Sequence, residues 1–288
     1  MRRRLLLLAT IAVLLFTMGG PVGASDDGQP RPRRPLHLAL GDSVASGVGA
    51  SDPGVTGYVP LLHDVLRDEL ACRRSGHPGC RRLTLRNLAV GGATTTTLIT
   101  EQLPVAVAEL RARNHDRRPG NDVEVVTIDI GGNDVFRVVP SCGAGPTPEC
   151  HALIQAALVT FQANFAQIMG ELRTAAGPDT VIVAMTYYNP LPSCQLATLA
   201  PLAEAVLEGG PGLAAGLNDL IRSISAANHA LVADAYGRLG SAELVGGTDC
   251  LHPNDAGHQV IANLFATTLA PPAMSHRGRS TGPSGHSS

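Results

Sequence analysis

The sequence predicts an α/β protein: three layers, α/β/α, around a five-stranded, mostly parallel, doubly wound sheet. Three observations carry that reading. Short apolar runs alternate with longer amphipathic stretches five times, the runs are mostly apolar, and no internal boundary or repeat divides residues 36–270. Strands covered by helices on both faces lose the polar alternation of a half-exposed strand, and a helix between successive strands lets them lie parallel.

Leu36–Leu40 is the first expected strand. Tyr58, Leu61, Leu62, Val65, Leu66 and Leu70 then recur at the i, i+3, i+4 spacing of a helix with one buried face. Leu83–Leu88 is the second strand, and Pro104 opens a helix through Arg111, since proline suits a first turn. Val123–Ile130 and Thr180–Thr186 are the third and fourth strands, separated by a long helix over Leu153–Ala175. Asp219–Ala227 is helical, Ala230–Ala233 is the fifth strand, and Asp255–Ala266 forms the final helix.

The ends read differently. Arg2, Arg3 and Arg4 precede an apolar run from Leu5 to Met18, and Val22 and Ala24 put small residues at the −3 and −1 positions of a cleavage site. This is the pattern of a secretory signal peptide over residues 1–24, and the run is too short for a stable membrane anchor. Residues 25–35 form a polar, proline-rich lead-in, and residues 271–288 are expected to be a disordered tail. The main domain is residues 36–270, and the product is expected to be secreted, extracellular and monomeric.

Composition removes several functions. The chain has 288 residues, 44% hydrophobic and 16% charged, which suits one sizeable core and not a polytopic membrane protein. All 22 basic residues are arginine. Without a lysine amine there is no Walker phosphate loop, no pyridoxal Schiff base and no Ser-Lys dyad. Trp is absent and Tyr and Phe number only 4 and 5, so stacking platforms for bases or sugars are scarce. Loss of the leader's three arginines leaves 19 basic against 24 acidic residues, a net charge of −5. That charge offers no attraction to nucleic acid or anionic lipid.

Six cysteines in an exported chain read as three disulfides, for which fifteen pairings exist. Proximity favours Cys72–Cys80 and Cys142–Cys150, which leaves Cys194–Cys250. Metal ligation is disfavoured because no C-x2-C pair is present.

Ligands of a doubly wound sheet bind beyond the carboxyl ends of its strands, so the residues just after each strand carry the information. Gly41-Asp42-Ser43-Val44 follows the first strand and places a serine on a tight turn, as a nucleophile requires. The same residues also suit an ordinary turn or a helix cap. Gly91-Gly92 follows the second strand, where a free backbone N–H can face a developing oxyanion. Asn133, after the glycines that end the third strand, offers a neutral amide donor for the same purpose. Asp249-Cys250-Leu251-His252 stands just before the last helix. An aspartate three residues before a histidine can accept from one imidazole nitrogen while the other faces the serine. His258, six residues further on, is read as packing or surface.

Taken in this order, the four blocks resemble the SGNH, or GDSL-type, hydrolases, a family of esterases and lipases. The resemblance covers residues 36–270. It implies a flavodoxin-like sheet, Ser43 as nucleophile, Ser43 N–H, Gly92 and Asn133 as the oxyanion hole, and Asp249 with His252 completing a triad. Val44 departs from the leucine of the name-giving motif without touching the chemistry. Relatives with six cysteines pair them consecutively, and some orient the histidine with a backbone carbonyl, which leaves Asp249 the least secure member. The implied reaction is two-step acyl transfer with no cofactor and no metal. Expected substrates are lipid or small acyl esters, with a carbohydrate O-acetyl esterase as the alternative reading. A non-catalytic binding protein on the same fold would be expected to have lost one of Ser43, Asn133 or His252. Phe136 is a candidate wall of the acyl pocket.

Overall fold

The computed structural model describes residues 34–73, 83–118, 120–142, 147–210 and 212–270. The leader, most of the lead-in, the tail and the Cys72–Cys80 pairing lie outside the described residues.

Five strands form one parallel sheet: β1 (Leu36–Gly41), β2 (Thr84–Asn87), β3 (Val123–Asp129), β4 (Val181–Met185) and β5 (Leu231–Ala233), in the order β2-β1-β3-β4-β5. Each falls on a predicted apolar run. A two-stranded antiparallel hairpin, β6 (Leu244–Gly246) with β7 (Asp249–Pro253), stands apart from the sheet. The helices are α1 (Tyr58–Arg73), α2 (Thr95–Glu101), α3 (Leu103–Asn114), α4 (Gly132–Phe136), α5 (Pro148–Ala176), α6 (Ala200–Glu208), α7 (Leu217–Ala227) and α8 (Asp255–Leu269).

The period of two along each strand sorts side chains between two cores. Leu36, Leu38 and Leu40 of β1 point into the larger one with Ile182 and Ala184 of β4, beneath α3, α5 and α7. Ala39, Val183 and Met185 face the other way, against Tyr58 and Leu62 of α1 and Phe265 of α8. Helices therefore cover both faces, giving three α/β/α layers. Burial of each such aliphatic side chain contributes about 1.5–3 kcal/mol against the entropy of ordering the chain.

By length and composition α5 could cross a membrane. Here Ile154, Leu158, Phe161, Phe165, Ile168 and Leu172 recur every three or four residues as a buried stripe against the sheet, so it serves as a core helix.

Four elements were not predicted: α2, α4, α6 and the β6–β7 hairpin. Thr95–Glu101 is a threonine-rich stretch with little helix propensity, held by a cap in which Thr94 accepts from the Thr97 amide. The hairpin strands are too short to show a period.

The strand order reverses between β1 and β3, so the loops after them diverge and leave a crevice at the carboxyl edge. Ser43 follows β1 and Asn133 follows β3. Topology alone brings these two segments, 90 residues apart, to one place.

Candidate active site

Asp42 and Ser43 leave β1 through a tight turn. The Ser43 carbonyl accepts from the Val48 amide at 2.9 Å and from the Ser46 hydroxyl at 3.0 Å. Gly41 packs so closely on Asp129 of β3 that a Cβ there would lie 2.0 Å from the Asp129 Oδ1. Buried Gln102 grips both backbone groups of Gly41: its Oε1 accepts from the amide at 2.9 Å and its Nε2 donates to the carbonyl at 2.8 Å. The serine therefore stands on a turn fixed from below and from the side.

The Ser43 hydroxyl donates to His252 Nε2 at 2.9 Å, and His252 Nδ1 donates to Asp249 Oδ2 at 2.8 Å. Asp249 Oδ1 also accepts from the Leu251 and His252 amides, each at 3.0 Å. Partial burial disfavours the Asp249 carboxylate, but these hydrogen bonds outweigh it and hold its pKa below the ordinary aspartate value. An ionised Asp249 favours the Nδ1–H tautomer, which leaves Nε2 as an acceptor towards Ser43. The Cys194–Cys250 disulfide links this loop to the segment after β4, and a second disulfide joins Cys142 to Cys150.

Asn133 lines the same cavity as Ser43 and His252. Its side-chain amide donates to the Ala93 carbonyl at 3.0 Å, which leaves its second hydrogen for another acceptor. Gly92 joins this group through its neighbours, because Arg137 donates to the Gly92 carbonyl at 2.6 Å. Among the described residues, neither the Ser43 nor the Gly92 amide has an acceptor. Asn133 thus brings a side-chain donor to the cavity of a serine paired with a histidine, and the Ser43 and Gly92 amides are unspent.

Several residues supporting the site gave no sequence signal. Asp42 is buried, with Oδ1 accepting from the Val44 amide at 2.9 Å and Oδ2 from the Tyr187 hydroxyl at 2.6 Å. Burial pushes its carboxyl up to about 6, against those two hydrogen bonds. Asp129 is raised well above its usual value by burial and by nearby Asp42, despite a hydrogen bond from Tyr58 at 3.0 Å. A polar residue inside the apolar run Val123–Ile130 was the available clue to Asp129; nothing local marks Gln102 or Arg137. His258 is fully buried: Nδ1 accepts from the Tyr58 amide at 3.2 Å, and Nε2 donates to the Val48 carbonyl at 3.1 Å. It is a packing residue that ties α8 to the loop after Ser43.

No group of three or more metal-ligating side chains occurs among the described residues.

Residues 39–260 match the GDSL-like lipase/acylhydrolase family, and the chain belongs to that family, whose members are carboxylic ester hydrolases. Among solved structures, it is similar to a lipase from a goat rumen metagenome, with 19% identity and a TM-score of 0.58 over 82% of this chain and 97% of that one. It is also similar to an acetylxylan esterase from Geobacillus stearothermophilus, with 18% identity and a TM-score of 0.54 over 83% of this chain and 96% of that one. At these identities the two structures speak for the fold. No curated protein matches the chain.

Proposed function

We propose that the chain is an exported serine ester hydrolase that works through an acyl-enzyme on Ser43. The observation that carries this is the unbroken relay from Ser43 Oγ to His252 Nε2 at 2.9 Å and from His252 Nδ1 to Asp249 at 2.8 Å. His252 takes the serine proton as Ser43 Oγ attacks the ester carbonyl. The resulting oxyanion is held by the Ser43 and Gly92 amides and the Asn133 side chain, each supplying about 3 kcal/mol to the transition state. The imidazolium, stabilised by Asp249, protonates the departing alcohol. Water then attacks the acyl-serine, with His252 again serving as base, and releases the acid.

Every residue in this scheme comes from one chain, so a monomer suffices. Export is supported by the leader over residues 1–24 and by disulfides that persist in oxidising compartments. The substrate is an ester of a lipid or small acyl group.

The test is Ser43→Ala compared with the parent on nitrophenyl esters, together with labelling by a fluorophosphonate. Turnover should vanish with the circular dichroism spectrum retained, and one phosphonyl adduct should map to Ser43. Unchanged hydrolysis by the variant would overturn the reading.

A further inference from the structure

We propose that Tyr187 limits the acyl side of this site to acetyl- and propionyl-sized groups, and that the bulk of the substrate lies on the alcohol side. The inference rests on Ser43 being the nucleophile. It goes further in naming the substrate class, short-acyl esters of a bulky alcohol, and the residue that sets the limit.

The cavity beside Ser43 has a volume of about 30 Å³ and is walled by Gly132, Phe136, Tyr187, Tyr188 and Leu251. As its walls stand, a cavity of this size takes a short acyl group and not a long chain. A small cavity can be the resting form of a larger one if its walls swing. Here two of the walls, Tyr187 and Tyr188, are pinned.

Tyr187 is held at both ends. Its hydroxyl donates to Asp42 Oδ2 at 2.6 Å. Its amide donates to Asn218 Oδ1 at 2.7 Å, and its carbonyl accepts from Asn218 Nδ2 at 2.8 Å. Asn218 is itself fully buried and donates to Glu208 at 2.6 Å. The Tyr187 ring lies directly against Gly132, where a Cβ would come within 2.8 Å of its Cε1. Rotating the ring away would leave the buried Oδ2 of Asp42 without its phenol donor, with only the Val44 amide still bonded to the carboxyl through Oδ1. Tyr188 is fixed as well, its hydroxyl donating to the Leu251 carbonyl at 2.7 Å.

A second, open groove of about 490 Å³ runs alongside, bordered by Phe136, Arg137, Leu196, Thr248, Asp249 and His252. It is lined by His252, the proposed proton donor to the leaving alcohol, and not by Ser43, and we assign the alcohol to it on that ground. Its wall mixes apolar surface with a guanidinium, a hydroxyl and a carboxylate, which suits an alcohol carrying its own hydrogen-bonding groups.

Nitrophenyl esters from acetate to octanoate test this, because the leaving group is constant and only the acyl side changes. In the parent protein kcat/KM should be highest for acetate or propionate and fall at least about tenfold by hexanoate, as expected when methylenes are excluded from a narrow pocket. In Tyr187→Ala the ratio of hexanoate to acetate activity should rise at least about tenfold. Tyr187→Phe, which keeps the ring and loses the tie to Asp42, should raise the ratio less. A merely structural role would lower all esters together and leave the ratio unchanged, which would overturn the proposal. The parent panel decides even where a variant does not fold: hexanoate or octanoate cleaved as fast as acetate refutes the limit. If that occurs while fluorophosphonate still labels Ser43, only the acyl limit fails. If no ester is cleaved and Ser43 is not labelled, the serine-hydrolase reading fails and takes the limit with it.

Discussion

The Arg137 guanidinium donates to the Gly92 carbonyl at 2.6 Å, reaching from the end of α4 to the loop after β2. This bond fixes the peptide that follows Gly92 and so steadies the glycine whose own amide is one of the proposed oxyanion donors. Arg137 is at the same time part of the wall of the open groove.

Arg137→Ala should therefore lower kcat by about tenfold, less than the hundredfold or more expected for outright loss of an oxyanion donor. KM for a small ester should change little, and Arg137→Lys should restore part of the rate. Steady-state kinetics on nitrophenyl acetate give the split. A rise in KM with kcat unchanged would mean that Arg137 binds substrate and does not position Gly92.

The Cys194–Cys250 disulfide closes a 56-residue separation and ends next to Asp249. Its loss should cost about 2–4 kcal/mol of stability. Activity should fall before the fold is lost, because the loop carrying Asp249 and His252 loosens first. Titration with dithiothreitol, followed by esterase rate and near-ultraviolet circular dichroism, separates the two. The Cys142–Cys150 bridge spans only 8 residues and touches none of the triad residues, so the double variant Cys142→Ser/Cys150→Ser should retain more activity than Cys194→Ser/Cys250→Ser.

Gly41 has a φ of 154° and no room for a side chain, with the Asp129 Oδ1 only 2.0 Å from where a Cβ would sit. Gly41→Ala should destabilise the protein by about 3 kcal/mol or more, through overpacking and displacement of a buried carboxyl. Urea denaturation measures this directly. A variant as stable as its parent would show that the turn beneath Ser43 yields freely.

His37 of β1 is fully buried and bonded to the Thr127 hydroxyl at 3.0 Å, and burial, with nearby His63, lowers its pKa from 6.5 to about 3. The folded state thus binds fewer protons than the unfolded state. The contribution of this group is fully present above pH 6.5 and is lost as pH falls from there towards 3. Each pH unit in that window costs at most about 1.4 kcal/mol. Asp42 acts in the opposite sense, since its raised pKa favours the fold at low pH and costs stability as pH rises towards 6. His37→Gln, which keeps a partner for Thr127, should flatten the acid limb of a stability-against-pH curve. An unchanged slope would refute the assignment.

β1, β3, β4 and β5 were legible because each is a largely apolar run bounded by turn residues, and β2 was marked by Leu83, Leu85 and Leu88 around Arg86 and Asn87. Ser43, Asn133, Asp249 and His252 were legible because each sits in a short block at a position the strand pattern marks. Leu244–Gly246 and the short helices were not, since three to nine residues with weak propensity take their form from the surface they pack on.

By itself the sequence determined the fold class and the residue types available for acyl transfer. Local pattern suffices there, because burial period and turn chemistry are properties of neighbouring residues. Only the tertiary structure decided that Gln102 holds the nucleophile's turn, that Arg137 steadies Gly92, and that Tyr187 is clamped between Asp42 and Asn218. Those pairs are 61, 45, 145 and 31 residues apart. Contacts of that span leave no trace in local composition, because they depend on the sheet order that brings distant loops to one edge.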